Sequence, residues 1–425
     1  MSEVRYRKCP TTQLSITFTN TTTSTTSPPI VITCRGRPLD PTRSAVALNE
    51  LWYSGDTLET SEAVCVRTWC ETSEQAACAT RILPRTEAAP REENRFPQHD
   101  PGRWLGHKAN QVEAHQVNTR KNPPNVLIIK FDGLSRQRFK RMLVKTNRLI
   151  QRLNFISFRR YTPLSLRPVE LQNSNASGIP MANKTASFPW ILETLRSRGY
   201  VTFRAKNECV RADRKGHVAS FQADHGEAIG PLVCFDFQRP NCVGGKSAAE
   251  HLLDYGMQFI RWYEAHKQTG SRMPWAAMIE LGETMEDTLM LGGTLDEPVW
   301  RFLYSLYQSP FECTSEGLTP TEETLGNEAC TLWNHTAVLL ISGDERLQIG
   351  PYSSTSKGLQ EYLEPILHVH LPASVPASAI TVMEENKDIW TTPLDVHETI
   401  FDILVTEDFV DERGKVNSLI PIELS

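Results

Sequence analysis

The chain has 425 residues, 40% of them hydrophobic, enough to bury one large core with an accessory region beside it. A formal net charge of -5 and a pI of about 6.2 give no electrostatic ground for a nucleic-acid partner, which would need clustered excess Lys and Arg. No stretch of about 18 apolar residues offers a membrane span, and the first residues, MSEVRYRKCP, contain no apolar signal-peptide region.

The first fifth carries Cys9, Cys34, Cys65, Cys70 and Cys78, and the remainder Cys209, Cys234, Cys242, Cys313 and Cys330. The spacing lacks paired CxxC knuckles, so an even number of cysteines in loop-like segments reads as disulfides formed in an oxidising compartment. Asn-x-Ser/Thr sequons at Asn20, Asn175, Asn183 and Asn334 point the same way. The reading is therefore a secretory-pathway protein, extracellular, lumenal or membrane-anchored, whose signal or anchor would precede the start of this chain. Residues 10–30 hold a Thr/Ser-rich tract, TFTNTTTSTTSPP, expected as loop or glycosylated stalk. The cysteine-dense segment after it, with LWYSGDTLE and AVCVRTWC, is expected to form a few strands stapled by disulfides, making 1–82 an N-terminal region. Residues 83–122, rich in Pro, Arg, Glu and Gln, have linker composition.

From Pro123 the texture changes. PPNVLIIKFDG is a continuous apolar run between two prolines and an Asp-Gly, as in a strand buried on both faces. SRQRFKRMLVKTNRLIQRL follows with Phe139, Leu143, Ile150 and Leu153 at helical spacing and its basic residues as a solvated face. Then come SFPWILETLRSRG as helix, YVTFRAK as strand, SAAEHLLDYGMQFIRWYEAH as helix, PWAAMIEL as strand, EPVWRFLYSLYQ as helix, TAVLLISGD and ILHVHLP as strands, and PLDVHETIFDIL as helix. Strands alternating with helices of this length require crossovers, hence a doubly wound, mostly parallel α/β sheet with helices on both faces. GGKSAAE is not a P-loop, since Pro240 stands where its first Gly belongs; Ser247 and Glu250 make a capping box instead.

In such a sheet the ligand lies beyond the carboxyl ends of the strands. Asp132 ends the first core strand, and Asp344 and Glu345 end the strand VLLISGDE. Carboxylates brought to one sheet edge are what a divalent metal, Mg, Ca, Mn or Zn, would need. The bland alternative is that each caps the following helix or turn. His368 and His370 share one face of a strand and are weighed between metal clamp and core packing. Asp224-His225-Gly226 is weighed as a decoy, because the segment before it is no buried strand.

FDGLSRQRFKRMLVKTNRLI resembles the DSxSRxxFxRxxPKT signature of the protein family of unknown function numbered 229, a branch of the alkaline-phosphatase and sulfatase superfamily. The resemblance runs on through GYVTFRAKNEC, CVGGKSAAEHLLDYGMQF, GPYSSTSKGLQEYLEPILHVHLP and PLDVHETIFDIL to KVNSLIPIEL, covering roughly 123–425 and leaving out the family's C-terminal subdomain. It implies an alkaline phosphatase-like domain and metal-assisted hydrolysis of phosphate or sulfate esters. By position Asp132 matches the family's first metal-ligand Asp, and Asp344 the Asp of its Ser-Asp-His-Gly motif, with Glu345 and Arg346 in place of His and Gly. The nucleophile segment reads RRYTPLSLRPVELQNSNASGIP, in which Ser165 is the first candidate and Thr162 the second. Lys357 matches a basic position that contacts the ester in sulfatases and is the candidate for anion binding. Met285 stands where related chains carry His, leaving Glu283, Glu286 and Asp287, which are weighed between compensating for that His and forming a solvated acidic loop, the second being preferred. His397 is expected to be structural, in a helix packed under the site.

Two functions follow. One is a metal-dependent hydrolase of a phosphate or sulfate ester, with Asp132, Asp344 and Glu345 holding the ion and Ser165 attacking. The other is a catalytically inactive relative that keeps the fold to bind a glycan or a protein partner.

Overall fold

The computed structural model describes residue 9 and residues 12–18, 30–38, 48–53, 62–70, 73–83, 123–162, 191–206, 223–225, 242–265, 274–285, 291–309, 331–343, 355–393, 395–396 and 399–400. Among the described residues the N-terminal region is all β. Strands β1 (Leu14–Phe18), β2 (Ile30–Cys34) and β3 (Arg37–Pro38) make one antiparallel sheet, and β4 (Leu48–Tyr53), β5 (Ala63–Cys70) and β6 (Ser73–Thr80) a second. The stapling expected here is found: Cys34 is bonded to Cys70, and Cys65 to Cys78 directly across the β5–β6 ladder. The loop expected over 10–30 is corrected at its start, where Leu14–Phe18 pairs residue by residue with Ile30–Cys34. β-Branched Ile16 and Thr17 suit a half-buried strand, and cross-strand pairing overrides the polar composition. Residues 84–122, the bulk of the expected linker, lie outside the described residues.

The core domain begins with β7 (Asn125–Asp132), all eight residues buried. It continues through α1 (Arg136–Met142), α2 (Val144–Arg152), β8 (Ile156–Ser157), α3 (Ile191–Ser197), β9 (Val201–Lys206), the small hairpin β10 (Cys242–Val243) and β11 (Lys246–Ser247), α4 (Ala248–Ala265), β12 (Trp275–Leu281), α5 (Asp296–Gln308), β13 (Thr336–Gly343), α6 (Ser356–Tyr362), β14 (Leu367–His370) and α7 (Ala377–Asn386). The six-stranded sheet runs β8-β14-β13-β7-β12-β9. Strands β13, β7, β12 and β9 are parallel, and the chain turns over only at β14, antiparallel to both β13 and β8. The doubly wound, mostly parallel α/β sheet expected from the sequence is thus found.

Period-2 alternation divides the core. Leu127, Ile129, Phe131, Phe203, Ile279 and Leu340 face the side covered by α1, α2, α4 and α5. Val126, Ile128, Met278, Leu339 and Ile341 face the side of α3 and α7. Local signals set the helix starts. The Ser135 hydroxyl caps α1 by accepting from Arg138 N at 3.1 Å. Ser247 and Glu250 form the expected reciprocal box at the start of α4, at 2.8 and 3.2 Å. The single basic helix expected after β7 is two, broken at Leu143. The second has no cap of its own, and the Asp296 carboxylate of α5 takes the N–H groups of Lys145 and Thr146 at 2.9 Å each.

The N-terminal sheets are fastened to this domain by a disulfide and a polar chain. Cys9 is bonded to Cys242 on β10. Glu62, just before β5, accepts from Tyr255 Oη at 2.6 Å and pairs with His225 Nδ1 at 2.7 Å, while His225 Nε2 meets Tyr263 Oη at 2.5 Å. Burial works to raise the Glu62 carboxyl, yet these hydrogen bonds and the imidazole hold it below its ordinary value. Asp224 accepts from the Thr202 N–H and hydroxyl, and His225 extends the ladder beside β9. The Asp224-His225 pair thus serves the joint between the two regions.

Candidate functional site

Asp132 is the last residue of β7, the central strand at which the sheet order reverses, with β13 on one side and β12 on the other. Register sets Gly343 of β13 opposite Asp132. The turn after Asp132 depends on Gly133, whose φ is +65°, a left-handed conformation that a side chain disfavours. Gly133→Ala should cost about 1–2 kcal/mol, read as a lower denaturant midpoint at unchanged slope. Thr284, after β12, donates its hydroxyl to the Asp132 carbonyl, and Arg138 Nη1 reaches the Thr284 carbonyl at 3.2 Å, so the edge is braced across two loops.

The side chains at this edge are charged. Lys130 and Asp132 project to the same face of β7, and register aligns Lys130 with Glu280 of β12 and Glu280 with Lys206 of β9. Lys130 Nζ lies 3.4 Å from Asp132 Oδ1 and 3.2 Å from Glu280 Oε2. Arg204 directs Nε and Nη2 at Glu280 Oε1, each at 2.7 Å. The Glu280 side chain is 2% exposed and that of Asp132 4%. Burial alone would raise the Glu280 carboxyl, but Lys130, Arg204 and Lys206 together outweigh it and hold the group far below the ordinary carboxylate range.

Lys130, Glu280, Arg204 and Lys206 are not among the candidates read from the sequence, whose charged members lie at or after the ends of the strands and not within them. The signal was present: charged residues inside runs otherwise apolar, NVLIIKFD and WAAMIEL, are almost never buried unless paired. Of the residues singled out, Asp132 stands at the carboxyl edge as expected. Thr162 follows the outer strand β8, three strand spacings from β7, and its N–H donates to the Thr391 carbonyl at 2.9 Å. Lys357 is exposed in the first turn of α6. Ser165, Asp344, Glu345, Glu286, Asp287 and His397 lie outside the described residues. Glu283, expected in a solvated loop, is instead 2% exposed, drawn in with Thr284 where the chain passes the end of β7.

His368 and His370 pack in the core. His368 shares a 2.8 Å hydrogen bond between Nδ1 and the Ser157 hydroxyl and lies against Phe139, while His370 stacks on Trp333 at 4.2 Å between ring centres. No group of three or more His, Cys, Asp or Glu side chains among the described residues is arranged to hold a metal. At Asp132 the described donor set does not fit a divalent cation, because its carboxylate is already paired with the Lys130 ammonium.

Fold and edge together define a doubly wound α/β protein with a buried cluster of alternating charge at the carboxyl ends of its central strands. Residues 5–179 match the family model described as "Protein of unknown function (DUF229)". The match takes in the N-terminal sheets, which the motif resemblance from 123 onward leaves out. No curated protein matches the sequence. Among solved structures, the chain is similar to the C-terminal periplasmic domain of EcEptC from Escherichia coli, at 9% identity over 73% of this chain and 89% of that one, TM-score 0.45. A complex of the same domain with Zn gives 11% identity, the same coverage and a TM-score of 0.46. The C-terminal periplasmic domain of phosphoethanolamine transferase EptC from Campylobacter jejuni gives 10%, 66% and 88%, with a TM-score of 0.39. Likeness at this level says nothing of ligand or activity.

Proposed function

We propose that the chain binds the anionic group of a phosphate or sulfate ester, as carried by a modified glycan, at the carboxyl edge of β7, β12 and β9, and does not hydrolyse it through a metal ion. The observation that carries this reading is the positive charge gathered at that edge: Lys130, Arg204 and Lys206 from two strands all act on Glu280, and Lys130 reaches Asp132 as well. The place is the one where open parallel sheets take their ligands. An anion there gains charge-assisted hydrogen bonds from side chains held by the sheet, with little ordering cost on binding. Disulfides Cys9–Cys242, Cys34–Cys70 and Cys65–Cys78 support an oxidising, secretory setting. No helix among the described residues is long and apolar enough to cross a membrane.

Calorimetric titration with inorganic sulfate, inorganic phosphate and phenyl phosphate, in the presence of a chelator, tests the reading. At least one of the three should bind, and Lys206→Ala should weaken it about tenfold, the loss of one hydrogen bond to a charged group. Failure of all three to bind at millimolar concentration would sink it.

A further inference from the structure

A lysine is among the residues least often found inside a sheet, and Lys130 is 7% exposed on the central strand of this one. Its position is fixed twice over. It precedes Asp132 by two residues on β7, which puts both side chains on one face, and its register partner on β12 is Glu280. The ammonium thereby bridges carboxylates from two adjacent strands, at 3.4 and 3.2 Å. With Arg204 on the other Glu280 oxygen, each of the two carboxylates has a side-chain cation in direct contact without any bound ion. A cation shared by two carboxylates of neighbouring strands is the task a divalent metal would have at this edge.

We infer that Lys130 is a tethered cation standing where a metal ion would otherwise neutralise Asp132 and Glu280, so that this pair of carboxylates is satisfied without metal. The inference rests on the reading of this edge as the ligand site, and it concerns the composition of the site, not the identity of the anion. The lysine stem is covalently part of β7, so the charge is present at every metal concentration and is not removed by chelation. A metal-independent site is the consequence.

The test compares wild type, Lys130→Met, and Lys130→Met combined with Asp132→Asn, each followed by thermal unfolding with and without millimolar Mg, Ca, Mn or Zn. Methionine keeps the length and apolar character of the lysine stem while removing the cation that bridges Asp132 and Glu280. Wild type should show no metal-dependent rise in Tm, Lys130→Met should gain one, and the double variant should lose it again. Should Lys130→Met not fold alone, recovery of its cooperative transition on adding one of these ions counts for the inference and no recovery counts against it. A wild-type Tm that rises with metal, and ceases to rise in Asp132→Asn, would overturn it, as would a folded Lys130→Met indifferent to all four ions. Anion titration in chelator reports on the proposed ligand by itself, so failure there and failure here are told apart.

Discussion

Glu280→Gln is expected to destabilise the fold by about 3–5 kcal/mol, the cost of breaking a buried ion pair from one side. The Glu280 carboxylate accepts from Arg204 at 2.7 Å and from Lys130 at 3.2 Å, and its replacement removes the negative charge that both cations contact. An amide keeps the shape and one acceptor, so the loss reports charge more than packing. Because the folded-state carboxyl is held well below its unfolded value near 4.5, its contribution is present above that pH and is lost as pH falls through the folded value. Urea unfolding at pH 7 should show the full difference between variant and wild type, and the difference should narrow in strong acid. A variant within 1 kcal/mol of wild type at pH 7, on the order of a surface substitution, would mean that the cluster is solvated.

The second large effect is a loss of stability in mild acid, caused by His368 and His370. Burial pushes His368 down to about 3, helped by the positive charges of Lys140 and Arg136. Burial pushes His370 down to about 4, against a hydrogen bond to the Trp333 carbonyl that works the other way. Both values lie below the unfolded reference of 6.5, so below that pH the unfolded chain binds more protons than the folded one. The stability these residues contribute is intact above about pH 6.5 and falls by up to about 1.4 kcal/mol per pH unit for each, levelling only when the folded-state values are passed. Between pH 6.5 and 4.5 ordinary carboxylates are still ionised, which makes that window diagnostic of the histidines. Denaturant unfolding across it should show a steep decline in wild type and a shallower one in His370→Phe, which keeps a ring against Trp333. A wild-type stability flat over the window would show that the rings are not held neutral.

The alternation of β7, β9, β12 and β13 with their helices was legible because each strand is a short apolar run with clear ends, and Ser247 with Glu250 announced the start of α4. α7, Ala377–Asn386, escaped notice because its only buried residues are Ala379 and Met383, too sparse a stripe to stand out as periodicity. Strand β1 was hidden in a Thr-rich tract and exists through its ladder with β2. The candidate site was half legible. Asp132 follows from the rule that ligands gather at strand ends, but Lys130 meets Glu280 across 150 residues of sequence and Arg204 meets it across 76. A pairing of that separation leaves no local pattern. What local sequence does carry is the anomaly of a charge in a buried run, and that anomaly is the better guide to this edge.

On the proposed reading Asp132 is neutralised by Lys130 and does not serve a metal-dependent hydrolase. The most direct measurement is hydrolysis of an aryl phosphate and an aryl sulfate by wild-type protein saturated in turn with Mg, Mn, Ca and Zn, beside Asp132→Asn and Ser165→Ala. The account predicts no turnover that either substitution removes. Metal-dependent turnover by wild type that vanishes in Asp132→Asn would contradict it.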